Sequence, residues 1–379
     1  MSEFGNKKAD YLTRLATNTD QRFTNAVLCV RHHPAGKPQN LQFVRSLAVP
    51  TKIRSSVGRR ISGRAGKIAS TLLERSIAQQ IRRSYAPDII HVQDGGFAGE
   101  KAQLIQYFNT PVVTTFHGGD INLAPFSSTR IRRLKQVFAF SSMCHFVSDF
   151  LLNKGRQLGC PENKGTAIHL GTQIREWKPR THDAATVTYG CIANMVSSKG
   201  HHDLLVAFAK FHEKHPNSKL ILAGDGPLRH RIDWLIESLH IQHAVQCTGS
   251  VGSTEILQLL NSKIDVLVHP ACKADDGSEE ALGLVLCESS ERGIPAIASA
   301  IGGIPEVIKH QVNGLLIDER NPTQLAEALT RMHSSHELRT QMGTAARDIA
   351  IRSFNSAKQL ECFAELYLNI HQNQLKQTA

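Results

Sequence analysis

The stretch from His269 to Glu306, HPACKADDGSEEALGLVLCESSERGIPAIASAIGGIPE, packs two spaced carboxylates, several glycines and two buried-strand signals into one short span. Val266 to His269 ends an apolar run that reads as a buried strand, and a polar loop rich in Asp, Gly and Ser follows it. From about Leu284 to Arg292 the residues are good helix formers; Gly293 and Pro295 stop them, and Ala296 to Ala298 begins the next strand. Seven residues separate Glu280 from Glu288. This spacing sets Glu280 just before the helix N-terminus and Glu288 just over one turn inside it, so both can face one pocket at the carboxyl end of a parallel sheet. Backbone N–H groups near Gly283 and Leu284 point to the same place and are free to bind an anion. Taken alone, the two glutamates also fit a helix-start carboxylate and a solvated one.

Outward from this span, strands and helices alternate, which predicts an α/β fold. Asp88 to Val92 (DIIHV) and Val112 to Phe116 read as buried strands, the second running into His117-Gly118-Gly119-Asp120. Phe146 to Ser148, a short apolar run before a Ser, resembles the closing strand of a known family's first domain, and Ala167 to Gly171 leads to a crossing. The pattern restarts with Val187 to Ala193, the loop Asn194 to Gly200 and an amphipathic helix from about His202 to His215. Lys219 to Ala223 then enters Gly224-Asp225-Gly226-Pro227, whose glycines suit a turn and whose proline suits the start of a helix with Leu228. Val245 to Gly249 is a further strand, and Asn321, Pro322 and Gln324 form a capped helix start.

The combined pattern resembles the nucleotide-sugar site of the retaining GT-B glycosyltransferases, the group that includes glycogen-synthase-like and bacterial polysaccharide enzymes. Glu280, Glu288, Gly293-Ile294-Pro295, Gly302-Gly303 and Glu306 carry the resemblance, with GDGP and His117-Gly-Gly-Asp120 beside them. It implies two Rossmann-like domains facing each other across a cleft. By the same resemblance His117, with Gly118 and Asp120, lies near the transferred sugar, and Glu280 lies by the sugar ring. Glu288 takes the ribose hydroxyls, and Lys199 with the amides of Gly283 and Leu284 stabilises the departing diphosphate. Where the family has an arginine this chain has Asn194, which donates a hydrogen bond but carries no charge. The implied function is retaining transfer of a hexose from a nucleotide-diphosphate sugar, UDP-linked, to a saccharide or lipid-linked acceptor in surface polysaccharide synthesis. No cofactor and no metal are implied, since basic groups and a helix dipole do that work. A nucleotide-sugar epimerase on the same fold and a truncated or non-catalytic nucleotide-sugar-binding protein are the alternatives.

At 379 residues the chain exceeds one ordinary core, and boundaries at 1–175, 176–355 and 356–379 are expected, the last segment being a helix that crosses back onto the first domain. The net charge of +11 is uneven: residues 1 to 175 hold 25 Lys and Arg against 10 Asp and Glu, and the remainder is slightly acidic. Arg54, Arg59, Arg60, Arg64 and Lys67 are its densest cluster, with Arg82, Arg83, Arg130, Arg132 and Arg133 elsewhere. Such a face suits an anionic membrane surface or a phosphate-bearing acceptor. No motif or aromatic platform for nucleic acid accompanies it. The eight cysteines lack metal spacing and read as reduced core residues, and MSEFGNKKAD is more polar than a secretory signal. The expected location is the cytoplasm, peripheral to the inner face of the membrane. The family begins with an apolar strand and a glycine-rich loop, of which only Met1 to Phe4 and Gly5 stand here, so the expectation is a first strand missing from this sequence.

Overall fold

A computed structural model describes residues 87–177 and 186–378, with isolated helical positions at 75, 76, 79 and 83. The expected missing strand and the basic cluster around Arg59 lie outside the described residues. The first sheet joins β1 (Ile90–Val92), β2 (Val112–Phe116), β3 (Met143–Phe146) and β4 (Gly165–Ala167) in that order, all parallel. Helices α1 (Gly95–Glu100), α2 (Ala102–Gln106), α3 (Gly119–Asn122), α4 (Ser128–Phe140) and α5 (Asp149–Gln157) connect them. Every residue of β2 is buried, as a strand covered on both faces requires. The expectation that 146–148 closes this half is corrected by β4, whose Gly-Thr-Ala is too short and too polar to announce a strand.

The second sheet joins β5 (Val187–Ile192), β6 (Ser218–Ala223), β7 (Val245–Gly249), β8 (Val266–His269), β9 (Ala296–Ser299) and β10 (Gly314–Ile317). Its spatial order is β10-β9-β8-β5-β6-β7, all parallel, so the chain reverses direction across the sheet between β5 and β8. In open α/β sheets that reversal leaves a crevice at the carboxyl ends of the two central strands. Around it stand α6 (His201–His212), α7 (Arg229–Ser238), α8 (Ser253–Ser262), α9 (Leu284–Glu291), α10 (Ile304–Val307), α11 (Pro322–Ser334) and α12 (His336–Ser353). Helix α11 begins as its sequence signals: Asn321 Oδ1 accepts the Gln324 amide at 3.0 Å and Pro322 is the first helical residue. The Gln324 side chain, however, turns to Asp318 rather than back to the cap. Pro227 instead stands in a turn before α7, which begins at Arg229, and the Leu228 amide donates to the Met195 carbonyl at 3.0 Å.

The last helix, α13 (Ser356–Thr378), reaches the first sheet through a buried polar chain. His145 Nε2 faces the Ile168 carbonyl at 2.8 Å, and a carbonyl only accepts, so Nε2 carries the proton. His145 Nδ1 then accepts from the Thr115 hydroxyl at 2.9 Å, Thr115 accepts from His91 Nε2 at 2.6 Å, and His91 Nδ1 accepts from the Tyr367 hydroxyl at 2.5 Å. One direction of donation thus runs from α13 across β1, β2 and β3 to the end of β4, with both imidazoles neutral. Burial pushes His145 down to about 4 and His91 well below its usual value. In the second domain burial does the same to His201, at the start of α6, again to about 4.

Two outcomes follow from these neutral histidines. Their native pKa values are depressed, so above pH 6.5 neither state is protonated. As pH falls from 6.5 toward 4 only the unfolded chain takes up protons. Each of these histidines should therefore cost roughly 1.4 kcal/mol of stability per pH unit in that window, so the first domain, with His91 and His145, should lose about twice as much per unit as His201 takes from the second, read by denaturant titration at several pH values. A flat profile there would mean that the rings are already charged. Tyr367→Phe removes the first donor of the chain and should cost about 1 to 3 kcal/mol in the same experiment.

Candidate active site

At the crevice between β5 and β8 the loop after β5 and the loop after β8 are stitched together. Cys272 N donates to the Ser198 carbonyl at 2.9 Å and its thiol to the Ser197 carbonyl at 3.2 Å. Gly200 has φ of +65°, and a Cβ built on it would lie 1.8 Å from the Pro270 carbonyl oxygen, so only glycine lets these loops come this close. The approach brings Lys199 to Glu280. Lys199 Nζ lies 2.5 Å from Glu280 Oε2, and His269 Nε2, at the carboxyl end of β8, lies 2.8 Å from the same oxygen. The Glu280 side chain is 13% exposed and that of His269 3%. Burial acts to raise the Glu280 pKa; the Lys199 ammonium and the His269 hydrogen bond outweigh it and hold the carboxyl far below the usual carboxylate range. Glu280 is therefore a permanent anion, unable to serve as a proton donor near neutral pH. Both hydrogen bonds fall on Oε2, and Oε1 takes none from the described residues.

The backbone of Glu280 is fixed as firmly as its side chain. The Gly303 amide donates to the Glu280 carbonyl at 3.1 Å, and a Cβ on Gly302 would lie 2.0 Å from the same oxygen. Gly283, with φ of +86°, caps α9 and packs beside the Glu280 stem, so the first-turn amides at Leu284 open next to the carboxylate. Glu288 is the fifth residue of α9, half-buried one turn inside. Asn194 opens the loop after β5, half-buried, with its carbonyl accepting the Val196 amide at 2.9 Å. The turn Gly224 to Pro227 packs on that loop: Met195 N donates to the Asp225 carbonyl at 2.9 Å.

From the first domain, the loop after β2 meets this assembly. A Cβ on Gly118 would lie 3.0 Å from Ala281 Cβ, which sets the His117 loop beside the residue next to Glu280. Asp120 organises the backbone of this loop. Its carboxylate accepts the amides of Gly118 at 3.0 Å, His117 at 3.2 Å and Gly95 at 3.0 Å, so it shapes the His117 loop and ties it to α1. His269 carried no assigned role in the sequence. A histidine closing a buried parallel strand next to a carboxylate loop was the available signal.

Glu306 also crosses between domains. Its oxygens accept the amides of Asp149 at 2.9 Å and Phe150 at 2.7 Å at the start of α5, and His169 Nε2 lies 2.6 Å away. Asp149, His169 and Glu306 are the one group of ligand-type side chains close enough for a metal ion among the described residues. The Glu306 oxygens are already committed to the α5 amides.

Known proteins agree with this geometry. Residues 175–349 match the model for glycosyl transferases group 1, and residues 10–176 match that for glycosyltransferase family 4. WcaL of Salmonella typhimurium, a glycosyltransferase named for colanic acid biosynthesis, is 23% identical over 332 residues, 86% of this chain and 82% of WcaL. The amylovoran biosynthesis glycosyltransferase AmsK of Erwinia amylovora is 25% identical over 297 residues, 77% of this chain and 73% of AmsK. The crystal structure of HepE of Anabaena in complex with UDP superimposes with a TM-score of 0.69 at 22% identity, covering 78% of this chain and 82% of HepE. With two consecutive family models spanning residues 10–349 and a shared two-sheet architecture, the chain belongs to the group 1 glycosyltransferases of GT-B fold.

Proposed function

We propose that the chain is a retaining hexosyltransferase that takes its sugar from a UDP-linked donor and delivers it to a saccharide or lipid-linked saccharide acceptor in surface polysaccharide synthesis. The observation that carries this reading is the permanently charged Glu280, held through one oxygen by Lys199 and His269 at the mouth of a Rossmann-like crevice. The names of WcaL and AmsK and the UDP bound to HepE support the polysaccharide setting and the nucleotide.

In this reaction the bond between the anomeric carbon and the diphosphate oxygen breaks, the acceptor hydroxyl oxygen forms the new bond on the same face, and its proton passes to the departing diphosphate oxygen. Positive charge grows at the sugar and negative charge on the diphosphate. Glu280 Oε1 meets the former; Lys199 and the first-turn amides of α9 meet the latter. Glu288 accepts the ribose hydroxyls, Asn194 donates to the diphosphate, and His117 with Gly118 borders the sugar. No metal ion enters the scheme. The exposed cations of α4, Arg130, Arg132, Arg133 and Lys135, support contact with an anionic membrane or a phosphate on the acceptor. Among the described residues no helix is long and apolar enough to cross a membrane, so such contact would be peripheral.

The test is release of free nucleotide from a panel of nucleotide sugars, with and without saccharide acceptors. One donor should be turned over. Glu280→Gln and Lys199→Ala should lower kcat by about 100-fold or more, and the retained anomeric configuration should be visible in the product. Binding of nucleotide without turnover would make this a binding protein, and an altered donor sugar without acceptor would make it an epimerase. Glu288→Ala should mainly raise the donor KM, by about tenfold, since the ribose contact is the same in ground and transition states. A fall in kcat alone would remove Glu288 from that role.

A further inference from the structure

Three consecutive residues, Glu279, Glu280 and Ala281, are gripped from both domains. The second domain holds Glu280 by its side chain and carbonyl, as described above. The first domain holds Glu279: Asn122 Nδ2, in α3, donates to its carbonyl at 3.0 Å, and Lys154 Nζ, in α5, lies 2.6 Å from its Oε2. Lys154 is itself fixed by Asn122 Oδ1 at 2.8 Å and by the Phe150 ring, whose centroid is 4.9 Å from the ammonium. Phe150 in turn gives its amide to Glu306, three residues beyond the glycines that hold Glu280. Gly118 completes the first domain's contact by packing on Ala281.

We propose that Lys154 and Asn122 are positioning residues for glycosyl transfer, acting through Glu279 to register Glu280 against the sugar. This rests on the reading of Glu280 as the group at the anomeric centre. The peptide unit between Glu279 and Glu280 is short and stiff, so a grip on the Glu279 carbonyl and carboxylate fixes the direction in which Glu280 leaves the backbone. The donor-side amides, by contrast, belong wholly to the second domain. The first domain thus adds its own grip on this segment where the domains touch, and Lys154 and Asn122 act on the carboxylate through Glu279 rather than through the donor. Displacing such a group by about 1 Å costs roughly 100-fold in rate, whereas a ground-state binding contact would change KM.

Lys154→Met keeps the apolar stem and removes the charge; Asn122→Ala removes the amide. For each, kcat should fall by about 10- to 100-fold with the donor KM within about twofold of the parent. Lys154→Glu combined with Glu279→Lys, which rebuilds the pair with reversed signs, should recover most of the loss. Hydrogen exchange gives a readout that needs no turnover. Amides across 279–283 should exchange about tenfold faster in Lys154→Met, and those across 197–200 should be unchanged. Unaltered kcat, or unaltered exchange at 279–283, would overturn the proposal. If the parent protein itself turns over no donor, the transferase reading fails, and the exchange data still decide whether the first domain registers this segment.

Discussion

A carboxylate mostly withdrawn from water stays charged only where opposite charge and hydrogen-bond donors stand within direct reach, and Glu280 has both on one oxygen. Taking a charge into a poorly hydrated site costs several kcal/mol, so its partners must be in place before any ligand arrives. That requirement shapes the surrounding backbone. Lys199 reaches Glu280 because Gly200 lets its loop lie against the Pro270 carbonyl, and Glu280 itself is held because Gly302 and Gly303 lie against its own carbonyl and that of Ala281. Side chains at these positions would separate the charges. The order of strands supplies the place: the two loops follow β5 and β8, the strands between which the sheet reverses.

The two domains are joined in two different ways. At the crossing, Thr172 N donates to the Phe354 carbonyl at 2.7 Å and Ser356 N to the Thr172 carbonyl at 2.9 Å, which pairs the outgoing and returning chains. Arg175 N donates to the fully buried Glu291, Arg347 binds the same carboxylate, and Trp177 Nε1 donates to the Arg292 carbonyl at 2.8 Å, which fixes the linker to the second domain. The histidine chain and α13 fix the returning end to the first. Across the cleft, polar contacts join Glu306 to the α5 amides and Lys154 and Asn122 to Glu279, and Gly118 packs on Ala281 and Phe126 on Gly277. The crossing is thus held by paired backbone and a buried carboxylate, and the cleft by side chains of one domain meeting the backbone and side chains of the other.

How much could be read from the sequence follows from the same distinction. Strands such as β2 and β8 are legible because covering both faces of a parallel sheet demands an unbroken apolar run. The caps of α11 are legible because they lie within four residues of one another. Strand β4 has neither property. At the site, Lys199, Glu280 and Gly283 carry motif spacing, but the meeting of His269 with Glu280 depends on how the intervening loop folds back. Asp120 was legible as a site residue and not as a clamp, since backbone amides leave no mark in the side-chain alphabet. Glu279 and Lys154 stand 125 positions apart, and Glu306 and Asp149 157 apart, so only the docking of two domains reveals them.

In the proposed reaction, Asn194, which stands where the resembled family has an arginine, bears on how the donor is handled. Lys199 is paired with Glu280, so the resting site offers a diphosphate little net positive charge from side chains. What it offers is a contact ion pair: a cation and an anion 2.5 Å apart beside the amides of a helix start. In the proposed reaction, cleavage of the donor creates charges of the opposite sense, negative on the diphosphate and positive on the sugar. Each can then take one member of the resting pair as its partner. An ammonium that also faced an arginine would attract the intact, already anionic donor more strongly and so stabilise the ground state as well. A balanced pair discriminates better, because its two members are matched only by a substrate whose charges have begun to separate.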